Sequence, residues 1–193
     1  MVAPQEVLAF WLDKAKPEDW YKSDPAFDAE IREKFLDTWQ QATEGALGLW
    51  LTYPSGALAY IILTDQFPRN MFRDTGQAFA TDKLALAAAK MAIERNWDLK
   101  IDEPARQFFY LPLMHSENLS DQDRAVRLIH TRMPETGKGN EDHACAHRWV
   151  IRQFGRFPYR NAALDRKTTD AEQNFLDAGG YAVAIRDQLS HAK

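Results

Sequence analysis

Two echoing segments, Asp65-Gln66-Phe67-Pro68-Arg69-Asn70 and Phe154-Gly155-Arg156-Phe157-Pro158-Tyr159-Arg160-Asn161, do most to limit what this chain can become. Each leaves an apolar helical stretch, reaches Phe-Pro and then presents an arginine and an asparagine. Proline disfavours helical backbone in the residue before it. Helix ends are therefore expected at Phe67 and Phe157, with Arg69-Asn70 and Arg160-Asn161 displayed on short, stiff loops.

The surrounding pattern is helical. Phe27, Ile31, Phe35 and Trp39 recur at spacing four and predict an amphipathic helix from about Asp24 to Glu44, stopped by Gly45. Ser55 is placed to cap a second helix, roughly Gly56 to Gln66. The run Ala57-Leu58-Ala59-Tyr60-Ile61-Ile62-Leu63 makes it apolar nearly all round, as expected of a helix in the middle of the fold. Thr75 opens a helix that stops near Asn96, and Pro104 starts one carrying Arg106, Phe109 and Tyr110. Ser120 with Asp123 caps another, Asn140 caps the helix bearing His143 and His147 that Gly155 ends, and Thr169 with Glu172 forms a capping box for a last short helix. Period-two alternation is absent, so the fold class is all-α. Short loops favour antiparallel neighbours, as an irregular bundle or as stacked helix pairs, and the Phe-Pro echo about 90 positions apart favours the stacked version, an α-α superhelix.

The 193 residues suit a single helical domain over 1–193, or two closely packed halves, with a core of its own. Cys145 is the one cysteine, so no internal disulfide forms, and a reducing, cytoplasmic setting is expected. The start lacks the basic and apolar regions of a signal peptide, and charges interrupt every long apolar stretch, so no membrane association is expected. A net charge of -4 and a pI near 5.7 argue against nucleic acid as a partner. One segment is basic: Arg148, Arg152, Arg156, Arg160, Arg166 and Lys167 face Asp165 alone in sequence, and either an anionic ligand or acidic neighbours can meet them.

Arginine grips phosphate or carboxylate with a planar fork, and asparagine adds a donor and an acceptor beside it. The candidate ligand-binding set is Arg69, Asn70, Arg73, Arg106, His115, Glu117, Arg156, Arg160 and Asn161. The alternative for each arginine is bracing, by bonding to helix-end carbonyls. Asp65 ends an apolar helix, where a carboxylate is costly unless paired, so a structural salt bridge is its preferred account. Pro68 interrupts the helical register between Asp65 and Arg69, which leaves that pairing unassured. His115-Ser116-Glu117 cannot act as a triad on consecutive helix positions; His115 needs a partner from elsewhere, for which His147 is the candidate. His143 and His147 have metal-compatible spacing, but His143-Ala144-Cys145-Ala146-His147 lacks the glutamate of the metalloprotease pattern, and no metal site is expected. No phosphate-cradling glycine loop is present, so no cofactor is expected.

The chain also resembles a bacterial family known as domain of unknown function 924. The resemblance rests on Val7-Leu8-Ala9-Phe10-Trp11, Asp65 to Arg73, Ala78-Phe79-Ala80-Thr81-Asp82, Arg106 to Glu117 and Phe154 to Asn161, and it covers nearly the whole length. It implies an all-helical fold like tetratricopeptide repeats, wound as a right-handed superhelix, and no established activity. The family usually has histidine where Tyr159 stands, and commonly leucine and glycine in place of Thr64 and Asp165. Tyr159 keeps a ring and a hydrogen-bonding group but does not titrate near neutrality.

Two functions are compatible with these residues. The leading one is a binding module whose concave face holds an anionic small molecule or an acidic peptide or protein segment. The competing one is a hydrolase or transferase on a phosphorylated or carboxylated metabolite, with Glu117 or Asp65 as base, His115 or His147 as acid, and arginines stabilising developing charge. Oligomeric state is not legible.

Overall fold

The computed structural model describes residues 2–191, with side chains through Asp187; Met1, Ala192 and Lys193 lie outside it. The described residues are all-α, without a strand. They divide into two compact units, Met1–Pro112 and Leu113–Lys193.

The first unit opens with α1 (Pro4–Leu8), which widens into a π-helical turn at Ala9–Lys14. Next comes α2 (Pro25–Thr43), whose N-terminus is capped by the Asp24 carboxylate accepting from the Ala26 and Phe27 amides. Gly45, at φ +78°, follows its end as the sequence predicts. The stripe of α2 enters an aromatic core in which Phe35 lies 4.7 Å from Phe67 and 5.1 Å from Phe10, centroid to centroid, and Trp11 meets Phe67 and Phe108 edge-on. α3 (Pro54–Ile61) packs against α1 on one side and α5 (Asp82–Glu94) on the other. Every residue from Gly56 through Pro68 is buried, so this is the central helix that its all-round apolar sequence predicts.

The helix does not end at Phe67. α3 runs into a π-helical turn at Ile62–Gln66 and then directly into α4 (Phe67–Met71), with Phe67 itself helical at φ -59°, ψ -37°. In a regular α-helix the Pro68 ring would press on the Thr64 carbonyl and leave it without a donor. The wider turn makes room for the ring. The orphaned carbonyl takes its hydrogen bond from the Thr81 hydroxyl at 2.6 Å instead. Arg69 and Asn70 thus stand on a helix and not on a loop. Other boundaries also shift. Tyr53, not Ser55, precedes the central helix, and Thr75 precedes only a 3-10 turn, Gly76–Phe79, before α5 begins. Arg106 and Phe109 lie on a 3-10 turn, Ala105–Phe109, before α6 (Leu111–Met114) at the junction of the units.

The second unit contains α7 (Leu119–Arg132), α8 (Lys138–Phe154), α9 (Asp170–Asp177) and α10 (Tyr181–His191), with α8 packed against both α7 and α10. Asn118 caps α7, two residues before the Ser120 expected there, and α8 begins at Lys138, ahead of Asn140. Gly155 ends α8 at φ +69°, and Phe157 is extended before Pro158, so here the Phe-Pro element does follow a helix end. The Thr169–Glu172 capping box at α9 forms as read. The core gathers Ala146, Val150, Ile151, Phe157, Phe175 and Ala184, with Trp149 and Tyr181 against it. Among the described residues no helix is long and apolar enough to cross a membrane.

Candidate functional site

In the first unit, carboxylates and carbonyls of the same unit meet the sequence-predicted arginines. Arg69 reaches Asp82 at 2.9 and 3.1 Å and Asp65 at 3.4 Å, and also donates to the Asp65 carbonyl. Because the helix continues through Pro68, Asp65 and Arg69 keep the i, i+4 approach that the proline had put in question. Asp65 is fully buried and takes a further hydrogen bond from Gln66. Asn70 donates to Asp28 at 2.8 Å, and Arg73 holds the same carboxylate through two bonds of 2.9 Å. Arg106 donates to the Ile101 carbonyl at 2.9 Å. The Tyr21 ring is largely exposed, yet its hydroxyl donates to Gln107 at 2.6 Å; burial of that end and the charge of Asp65 raise its pKa.

The second unit brings distant segments together. His115 follows α6, His147 sits in the middle of α8, and Arg160 ends the 3-10 turn Pro158–Arg160. The two imidazoles lie edge to face with centroids 6.3 Å apart, so the structure brings together His115 and the His147 that the sequence offers as its candidate partner. His147 packs 5.3 Å from the Phe157 ring, and the guanidinium of Arg160, itself buried, lies 4.5 Å over the same ring. Tyr159 stacks on Phe157 at 5.3 Å and meets Tyr181 edge-on at 6.0 Å, and Tyr181 closes the cluster 4.8 Å from His147. The position at which the family resemblance expects histidine thus belongs to this cluster.

His147 Nδ1 lies 3.0 Å from the His143 carbonyl. A carbonyl can only accept, so Nδ1 carries the proton and Nε2 the lone pair. Burial, and next the like charge of His115, lower the His147 pKa to about 3, so this imidazole is neutral at physiological pH. His143 Nδ1 lies 2.6 Å from the Tyr181 hydroxyl, and burial lowers the His143 pKa as well. Cys145, half-buried on the same helix, has its thiol pKa raised by burial, in keeping with a packing role.

Glu117 is the carboxylate of the His-Ser-Glu run, and it is bound tightly. It accepts the Phe157 amide at 2.8 Å and both Nη atoms of Arg166 at 2.7 and 3.0 Å. Burial pushes its pKa up, but the Arg166 fork and the Phe157 amide outweigh that, and the net shift is downward. Arg166 also donates to the Phe157 carbonyl at 3.1 Å, so this pair fixes the extended residue before Pro158. Glu172 plays the matching part for Arg156, which it meets at 2.6 and 2.8 Å, and it lies 3.3 Å from the buried Asn161 amide. Arg148 and Arg152 share Asp123 at 3.4 and 3.1 Å. Four arginines of the basic segment are therefore met by acidic neighbours within the unit. Sequence reasoning missed Phe157 and Tyr181 as walls of the cluster and Glu172 as more than a cap; the capping box had marked Glu172, but its second task depends on a chain reversal no local pattern encodes.

A family model described as bacterial protein of unknown function (DUF924) matches residues 7–180. The chain belongs to the DUF924 family. Its Phe-Pro elements and the Arg106–Glu117 run all lie inside the matched region. The DUF924 chain is also similar to the structure of a protein of unknown function, ATU0120, from Agrobacterium tumefaciens, with 40% sequence identity and a TM-score of 0.85 over 91% of this chain and 97% of that one. No curated protein matches.

Proposed function

We propose that this DUF924 protein is a helical binding module, and that its second unit holds an anionic group, a phosphate or a carboxylate, at the cluster of His115, His147 and Arg160. One observation carries this reading: the His147 imidazole and the Arg160 guanidinium meet at the Phe157 ring, and the His115 imidazole reaches His147 from a third segment. Arginine offers paired donors to an anion and the His115 imidazole near it adds a directional one, whereas His147 Nε2, with its lone pair, accepts only from a protonated oxygen of the ligand. Histidine beside arginine is an electrostatic arrangement that favours incoming negative charge. The ligand is a small phosphorylated or carboxylated molecule or an acidic peptide segment, the last in keeping with the repeat-like fold that the family resemblance implies. The lowered pKa of Glu117 makes it a weak proton acceptor, which supports holding over proton transfer.

The test is calorimetric titration with inorganic phosphate, phosphorylated and carboxylated metabolites and acidic peptides, repeated on Arg160→Ala and His115→Ala. Binding of at least one class, lost in both variants while circular dichroism stays unchanged, is the expected result. Binding that survives both substitutions places the ligand elsewhere. Glu117→Gln keeps an oxygen for the Phe157 amide and should retain binding; turnover of a bound compound that disappears in this variant would replace the module with the enzyme reading.

A further inference from the structure

We propose that Gln122 is the positioning residue for His115. Gln122 lies in the first turns of α7 and is fully buried. Its side-chain nitrogen donates to the Met114 carbonyl at 2.6 Å and to the Ser116 carbonyl at 2.7 Å, the two carbonyls that flank His115. Beside it, Asp121 accepts the Ser116 hydroxyl at 2.8 Å. Asn118, the cap of α7, accepts the amides of Ser120 and Asp121 and anchors the start of the same helix. The turn that presents His115 is thus suspended from the rigid end of α7 by two adjacent side chains, and both N–H bonds of one amide fix the backbone immediately before and after the imidazole.

The cost of this arrangement points to its importance. Gln122 Oε1 is buried and has no hydrogen-bond partner. An unmet buried acceptor is destabilising, and an apolar side chain of similar shape would remove it. Only a group with two N–H donors on one atom can span the Met114 and Ser116 carbonyls. Among neutral side chains the primary amides alone provide this, and asparagine is one methylene shorter. A ring clamped in this way keeps its direction toward His147 and any bound anion, which is what a binding site gains from a supporting residue.

The consequence for ligand binding rests on the anion-site reading above; the orientation of His115 does not. The decisive experiment is a ring-carbon NMR measurement of the five histidines in Gln122→Met, combined with titration by inorganic phosphate. The expected result is a folded protein whose His115 resonances shift or broaden while those of His130, on the far part of α7, do not. Phosphate affinity should fall about tenfold, comparable to one lost hydrogen bond. Unchanged His115 resonances in a folded Gln122→Met overturn the proposal. Should that variant fail to fold, the side-chain amide protons of Gln122 in the unmodified protein decide the matter: slow solvent exchange is expected, and exchange at the rate of a free amide overturns the clamp. If His115→Ala binds phosphate as well as the unmodified protein, the anion site fails, and the ring measurement alone judges Gln122.

Discussion

The Thr81 hydroxyl donates 2.6 Å to the Thr64 carbonyl, the acceptor that Pro68 deprives of its helical partner. The same hydroxyl accepts from Trp39 Nε1 at 3.1 Å, so one buried oxygen joins α2, the central helix and the start of α5. Replacing Thr81 with valine keeps the volume and strands two buried polar groups, each worth about 1–3 kcal/mol. Thermal unfolding of Thr81→Val should fall by at least roughly 4 °C, given roughly 2–4 °C per kcal/mol for a chain of this size. Thr81→Ser keeps the hydroxyl and should stay much closer to the parent. Equal melting temperatures for the parent and Thr81→Val would mean that the π-helical turn satisfies the Thr64 carbonyl by another route.

Acid should weaken the second unit in two separable stages. His147 is held from its ordinary 6.5 down to about 3 by burial and by the neighbouring His115, and His143 is lowered in the same direction. Between these values the unfolded chain binds protons that the folded one refuses, so stability rises with pH. The contribution is complete above about pH 6.5 and is lost as the pH falls toward 3. Urea unfolding at a series of pH values should show that loss beginning below about pH 6.5, and His147→Gln should flatten it, leaving the part due to His143. A parent curve that is level from pH 6.5 to 5 contradicts a neutral buried His147.

The second stage belongs to Glu172. The Arg156 fork, aided by the Thr169 amide and opposed by burial, lowers its pKa from 4.5 to about 2. A depressed carboxylate stabilises the fold above its unfolded value, and the contribution disappears as the pH falls through the folded value. Glu117 acts in the same sense below 4.5. Glu172→Gln should cost about 2–3 kcal/mol at neutral pH, the scale of hydrogen bonds to a charged group, and the gap from the parent should close as the pH approaches 2. A gap independent of pH would show that Glu172 acts through its cap and packing alone.

How much of this was legible depends on how far apart the partners are in the chain. The α2 stripe, the Gly155 stop and the Thr169–Glu172 box are set within a few residues, and they form as read. The rule that a residue before proline leaves the helix is also local, but at Phe67 it loses to tertiary structure, because Thr81 supplies from 17 positions away the donor that makes the helix tolerable. Arginine partners are further still: Arg73 finds Asp28 across 45 positions and Arg166 finds Glu117 across 49. The sequence states that such forks need partners; which carboxylate arrives is a property of the fold. His115 and His147 met for the same reason, through the packing that follows α6 and forms α8.

Asp165 offers a clean test of backbone strain against side-chain chemistry. It has φ +50°, in the left-handed region, and it stands where the family resemblance expects glycine. L-residues pay about 1–2 kcal/mol in that region, aspartate among the least, and glycine none. Its side chain is exposed, so little packing is at stake on substitution. Glycine gives back part of the gain through the larger entropy it loses on folding, roughly 0.5–1 kcal/mol. Asp165→Gly should therefore match or slightly exceed the parent in thermal stability, Asp165→Ala should fall below it by about 1 kcal/mol, and Asp165→Val should fall furthest because branching at Cβ crowds this conformation most. The Arg166 amide bonds to the Asn161 carbonyl across this turn at 2.8 Å, and Arg166 holds Glu117, so the same order should appear in the binding of inorganic phosphate if the turn sets the Arg166 fork. Alanine and valine variants as stable as glycine would show that the turn relaxes, and that the left-handed conformation is not required to place Arg166.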